Sequence, residues 1–116
     1  KVVTFAAEPA SAGTPYVMYT VASSTTAVVL GLVLSNINTT AVTAEVELVS
    51  TTSSRGGANN VANGTSFLIK DVNIPTGSSL EILSGGKVVL EAGDKIQIDC
   101  SVADKLSGTL SIMEIT

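Results

Sequence analysis

Apolar residues recur at every second position in short runs, and this alternation constrains the fold more than any other feature of the chain. Between Val42 and Leu48, for example, apolar side chains alternate with Thr43, Glu45 and Glu47. A period of two is the period of a β-strand, because successive side chains of a strand point to opposite faces. No segment carries a sustained helical period, so the pattern predicts an all-β chain.

The alternating runs are separated by turn-forming residues. The predicted strands are 2–6, 15–21, 26–37, 41–50, 65–74, 79–83, 87–90, 95–102 and 106–115. Turns at intervals of roughly 8 to 14 residues are typical of an antiparallel β-sandwich or jelly-roll-like barrel of about eight or nine strands. The whole chain, 1–116, is predicted to be one domain, in which residues 1–14 extend as an N-terminal arm. The glycines at Ser84-Gly85-Gly86-Lys87 predict a tight hairpin between two of the strands.

The composition disfavours several classes of function. The 116 residues include no His, no Trp and one Cys, and the formal net charge is −4. An acidic surface repels phosphate backbones, so no nucleic-acid partner is expected. Soft-metal sites need His or several Cys residues, so no such metal is expected. No other cofactor is expected either. The longest apolar stretch, Ala27–Leu34, has the length of a strand, so no membrane span is expected.

Carboxylates are the remaining candidates for catalysis. Acid–base catalysis by two carboxylates needs them in unlike environments within a cleft. Glu45 and Glu47 instead alternate with core residues, which predicts a solvent-facing strand surface. An enzyme that uses Glu45 and Asp99 is therefore the weaker alternative, and no small-molecule substrate is expected. The few aromatic residues are predicted to pack in the core, where they offer no platform for sugars.

One strand, Thr26–Ile37, is apolar on both faces. Leu30 and the leucines that follow at alternate positions lie on one face, and Val29 and Val33 lie on the other, around Gly31. Such a strand is either central or has one face in a subunit interface. The mean hydropathy of +0.47 favours an interface. We therefore predict that Val29, Gly31 and Val33 form the interface of a homo-oligomer, with a trimer as the favoured form. Gly31 also predicts a β-bulge or the close approach of another backbone.

A long polar segment, 51–64, separates two of the predicted strands. Loops of this length on a compact domain are usually functional. We predict that this segment contacts a partner through Arg55, Gly56, Gly57, Asn59 and Asn60.

Two motifs in the second half of the chain point to a family. The turn Ile74-Pro75-Thr76-Gly77-Ser78-Ser79-Leu80 is followed by Gly86-Lys87 and by Leu90-Glu91-Ala92-Gly93-Asp94. Together with the apolar runs Val28–Asn36 and Leu110–Ile115, they resemble small structural proteins of tailed bacteriophages, of the marine and cyanobacterial phage type. The resemblance extends from near Thr26 to the end of the chain, except for the segment 55–64, where no family pattern is matched.

The resemblance implies a non-enzymatic virion protein. Such a protein is a symmetric oligomer that decorates or cements the capsid, or lies at the neck or tail. Its expected partners are its own copies and other virion proteins such as the major capsid protein, and its expected location is the virion. The alternative is a receptor- or glycan-binding module of a phage tail or fibre, although the scarcity of aromatic residues counts against it.

Overall fold

The computed structural model describes residues 1–50, 64–83 and 85–116. These residues form nine strands and no helix. Every predicted strand is present, and each of its ends lies within two residues of the predicted position. The strands are β1 (Val2–Ala7), β2 (Tyr16–Thr20), β3 (Thr26–Asn36), β4 (Val42–Val49), β5 (Thr65–Ile74), β6 (Ser79–Glu81), β7 (Val88–Leu90), β8 (Lys95–Cys100) and β9 (Leu106–Ile115).

The strands form two antiparallel sheets that pack face to face. The first sheet has the order β1-β9-β3, with β6 and β7 both pairing with the far side of β3. The second sheet has the order β2-β8-β4-β5. Apart from β4 and β5, neighbours within each sheet are not consecutive along the chain, as in the double Greek key of a jelly roll. The prediction of an all-β antiparallel sandwich of jelly-roll type is confirmed.

The predicted hairpin at Gly85-Gly86 is wrong. β6 pairs with Val33–Ser35 and β7 pairs with Ala27–Val29, so the two short strands lie end to end along β3 and do not pair with each other. β3 has 11 residues and can therefore accommodate both. This arrangement turns Leu90 into the core, where it is fully buried.

The N-terminal segment belongs to the first sheet. Residues 2–7 pair with β9 without interruption, from Val2 opposite Met113 to Ala7 opposite Gly108. Residues 2–7 are thus an edge strand of the first sheet and not a free arm. The inward side chains of β1 also pack against the core.

The core lies between the sheets and is built from the inward side chains of both. Its largest fully buried members are Leu32, Leu34, Ile74, Leu90, Ile96, Ile98, Leu106, Leu110 and Ile112. The lone cysteine, Cys100, is buried there as a thiol. Gly108 lies where a Cβ would be 3.0 Å from Ile98 Cδ1, so the missing side chain lets the two sheets approach closely at this point.

Candidate functional site

Four apolar side chains stand in one row across the outer face of the first sheet. The pairing register places Val2 opposite Met113, Met113 opposite Val28, and Val28 opposite Val89. Their neighbours along the strands face the core, so the alternation of each strand turns these four outward. Val2 is 66% exposed and Val89 is 64% exposed. We refer to Val2, Met113, Val28 and Val89 as the apolar row.

A β-bulge in β3 adds apolar surface to this face. Between Val29 and Gly31, β3 advances by two residues while β9 advances by one, so Leu30 has no partner of its own. The extra residue shifts the alternation of β3 from this point onward. Leu30 is 39% exposed and Val33 is 36% exposed. Val33 consequently lies on the same side of the sheet as the apolar row.

One of the three residues predicted at the interface is wrong. Val29 is 1% exposed and belongs to the core, because the bulge puts it on the opposite face from Val33. The bulge predicted at Gly31 is confirmed. The close approach of another backbone is not found, since a Cβ at Gly31 would meet no described atom within 4 Å. Interface roles for Gly31 and Val33 stay predictions.

The outer face of the second sheet has the opposite character. Among the described strand residues, the charged members of the second sheet are Glu45, Glu47, Lys70, Asp71, Lys95 and Asp99. Those of the first sheet are Glu81 and Glu114 alone. Glu114 turns toward the second sheet, where it accepts a hydrogen bond of 2.8 Å from the hydroxyl of Tyr19. The sandwich therefore has one nearly uncharged outer face and one acidic outer face.

Three carboxylates surround a hollow of about 130 Å³ on the acidic face. Glu45 pairs with Asp99 of the adjacent strand, and a bulge in β5 sets Lys70 and Asp71 together opposite Glu45. Asp71 has a φ of 50°, a left-handed conformation that Asp adopts more readily than most residues. Lys70 Nζ lies 3.3 Å from a carboxylate oxygen of Glu45 and 3.9 Å from one of Asp71.

The chemistry available to this acidic group is modest. Loss of hydration raises the pKa of Glu45, a hydrogen bond shared with Asp71 raises it further, and Lys70 acts in the opposite direction. Asp99 is 7% exposed, and one of its oxygens accepts the backbone N–H of Cys100 at 2.8 Å. Within the described part of the chain, no group of three or more His, Cys, Asp or Glu residues is arranged to hold a metal ion. We therefore regard Glu45, Asp71 and Asp99 as surface carboxylates around the β5 bulge rather than as the functional site.

The aromatic residues divide between the core and the surface. Tyr19 is buried, with its ring centroid 5.1 Å from that of Phe5. The prediction of core packing is wrong for Tyr16 and Phe67, which are 46% and 44% exposed. They lie on β2 and β5, the strands at opposite edges of the second sheet, and these two strands are about 14 Å apart at the usual spacing. Two rings at that separation cannot stack on the same sugar.

Sequence reasoning missed all four members of the apolar row, although a signal is present. Each of them lies beside a core-facing apolar residue, in the doublets Val2-Val3, Val28-Val29, Val88-Val89 and Ile112-Met113. In a strand, one member of such a doublet has to point outward. The contact loop predicted at Arg55, Gly56, Gly57, Asn59 and Asn60 lies outside the described residues.

Comparisons with known proteins add little to this geometry. No protein-family model matches the chain, and no curated protein matches its sequence. A solved structure of Bacillus endospore appendages, described as a novel family of disulfide-linked pili, aligns with 100% of this chain and 85% of its own. It is 19% identical, with a TM-score of 0.48, and a likeness of this size carries no functional argument. The described residues contain no helix long and apolar enough to cross a membrane.

Proposed function

We propose that this chain is a non-enzymatic structural subunit that assembles with copies of itself through the outer face of its first sheet. The apolar row is the observation that carries this proposal. Val2 and Val89 are each about two-thirds exposed, on a sheet face whose described strands present Glu81 as their one outward charge. Contiguous apolar surface of this kind is a mark of an interaction site, whereas single exposed apolar residues are ordinary.

The face is large enough to hold such an assembly. A sheet four strands wide and as long as the 11 residues of β3 measures about 19 by 36 Å at the usual spacings. Its plan area of roughly 700 Å² is close to the ~800 Å² that each partner contributes to an interface of standard size. Covering apolar surface stabilises association by about 25 cal/mol per Å², and the near absence of charge removes the cost of burying unpaired ions.

The resemblance to structural proteins of tailed bacteriophages supports a location for this assembly. In this proposal the oligomer belongs to a virion, where it decorates or cements the capsid or lies at the neck or tail. Its partners are its own copies and other virion proteins such as the major capsid protein. The trimer favoured from the sequence stays a prediction about the copy number.

The mass of the chain in solution tests the assembly. We expect light scattering at micromolar concentration to give an oligomer, and Val89→Lys to raise its dissociation constant at least ~10-fold, because the ammonium group would have to leave water. Val17→Lys is the matched control: Val17 is 41% exposed on β2, at the edge of the second sheet. Circular dichroism establishes that both variants fold.

Two results would contradict the proposal. One is a wild-type chain that stays monomeric throughout the micromolar range, and the other is an equal effect of Val89→Lys and Val17→Lys on the mass. The virion location has a separate test: antibodies against the chain are expected to label purified virions of the phage that encodes it. Absence of the chain from such particles would reject the location and leave the self-assembly standing.

A further inference from the structure

The described strands leave four open sheet edges, and three of these edges are obstructed. β6 and β7 are short pieces of an interrupted edge, and β2 has a bulge between Val17 and Tyr19. β5 has two bulges and carries the charged residues Lys70 and Asp71. Bulges, charges and short strands are the devices by which proteins prevent edge-to-edge pairing. β1 has none of them: its six residues pair with β9 without a bulge, none is charged, and no described strand lies beyond it.

The hydrogen bonds to β9 decide which backbone groups of β1 are free. Just before β1, Glu114 N donates to Lys1 O at 2.7 Å and Lys1 N donates to Glu114 O at 3.0 Å. In an antiparallel ladder, such mutually bonded pairs recur at every second residue. The odd-numbered residues of β1 therefore bond to β9. The N–H and C=O groups of Val2, Thr4 and Ala6 point away from the sheet, along its open edge.

We propose that β1 pairs antiparallel with β1 of a second copy, about a twofold axis at Thr4. In this register Thr4 lies opposite Thr4 of the second copy, and Val2 lies opposite Ala6. Each of these opposed residue pairs exchanges two hydrogen bonds, so every free group of Val2, Thr4 and Ala6 is satisfied. The inference deepens the proposed function, on which it rests for the identity of the partner, by naming a second contact between copies.

The strand itself selects this register and this partner. A shift of one residue would oppose side chains that point to different faces of the joined sheet. A shift of two residues would leave one of the three bonding residues on each strand without a partner. Because β1 carries no charge, symmetric pairing brings no like charges together. The joined sheet also places both apolar rows on the same side, so the edge contact and the face contact can coexist.

Cysteine cross-linking tests the contact directly. Thr4→Cys is placed in a Cys100→Ala background, which removes the native thiol. Opposed Cα atoms in a bonded antiparallel pair are about 5.5 Å apart, within the range of a disulfide. We expect mild oxidation to link Thr4→Cys into dimers at least ~10-fold faster than Thr109→Cys. Thr109 lies one strand further in, on the outer face of the same sheet. Cross-linking at Thr109 alone would report the face contact and would overturn the edge contact.

A proline pair separates the contact from the stability of the fold. Thr4→Pro removes an N–H that points away from β9, so we expect it to abolish pairing between copies and to leave the sandwich folded. Phe5→Pro is the control, since it removes an N–H that β9 needs and should lower stability instead. Unchanged cross-copy pairing in Thr4→Pro, with the fold intact, would overturn the inference.

Hydrogen exchange on the unmodified chain provides a test that needs no variant. In the oligomer, the amides of Val2, Thr4 and Ala6 should exchange slowly, and fast exchange at all three would overturn the edge contact.

If Val89→Lys dissociates the oligomer while these amides exchange fast, the edge contact fails and the proposed function stands. If Thr4→Cys links copies while Val89→Lys leaves the mass unchanged, the edge contact stands and the face contact fails. A twofold contact also requires an even number of copies, so a lone trimer would contradict it.

Discussion

At the scale of single residues, a part-buried polar contact between Tyr19 and Glu114 links the two sheets. The hydroxyl of Tyr19, on the second sheet, donates a hydrogen bond of 2.8 Å to a carboxylate oxygen of Glu114, on the first. Loss of hydration, followed by the hydrogen bond and the charge of Glu114, raises the pKa of Tyr19 to about 12. The contact orients a buried ring that also packs against Phe5.

Tyr19→Phe should therefore destabilise the fold and change its alkaline behaviour. We expect a loss of about 1.5 to 3 kcal/mol in the free energy of unfolding, because a carboxylate loses its hydrogen-bond donor. Since folding raises the pKa of Tyr19 above its ordinary value of 10.0, the stability from its protonated form is complete below pH 10. It is lost as the pH rises through about 12.

Urea unfolding of the wild type and the Phe variant at neutral and at alkaline pH measures both effects. The control is Tyr16→Phe, at an exposed ring, which should change stability by no more than ~0.5 kcal/mol. If Tyr19→Phe kept the full alkaline loss of stability, another group would be responsible for it.

At the scale of elements, the bulge in β3 decides which side chains form the core. Leu30 is the residue without a partner, and beyond it Leu32 and Leu34 face inward while Val33 faces outward. The bulge thus keeps both halves of an 11-residue strand in the core. Without it, a regular alternation from Val29 onward would turn Leu32 and Leu34 toward solvent.

Deletion of Leu30 should consequently be tolerated, whereas deletion of Val33 should not. Removing Leu30 restores a regular ladder and leaves every core side chain in place. Removing Val33 turns the fully buried Leu34 to the outer face, which should lower the free energy of unfolding by about 2 to 5 kcal/mol. Thermal unfolding of the two deletion variants makes the comparison. Equal destabilisation by both deletions would mean that the bulge has no such role.

The strands could be predicted from the sequence, but the pairing between them could not. Alternation is local, so a run such as Lys95–Cys100 reveals its own inward and outward positions. Register joins strands that are far apart in the chain. Gly31 predicted a bulge, but the residue at which the alternation shifts depends on the partners in β9, which leave Leu30 unpaired. The interface prediction therefore placed Val29 on the wrong face, and the apolar row, which exists only across four strands, was not found.

At the scale of the whole molecule, the two outer faces of the sandwich differ in charge. Four carboxylates and two lysines on the described strands of the second sheet give that sheet a net charge of −2, half of the −4 of the chain, whereas the face with the apolar row carries Glu81 alone. Copies that approach one another repel through these acidic groups at long range, and attract through apolar contact at short range.

Self-association should therefore strengthen as salt is added. Raising sodium chloride from about 50 mM to about 500 mM shortens the screening length severalfold, which weakens the repulsion between acidic copies and leaves the apolar contact intact. We expect the dissociation constant to fall a few-fold in sedimentation equilibrium. A rise in the dissociation constant with salt would show instead that ion pairs hold the copies together.

Apolar surface on one side only also sets a limit to size. Once two copies have joined through that face, the two outermost sheets of the pair are both acidic second sheets. A further copy that approaches such a sheet meets like charge and only isolated exposed apolar side chains such as Val17 and Phe67, so further layers do not form and the assembly stops growing. A chain with an apolar row on both outer faces could bind a further copy at either face and would form open-ended stacks.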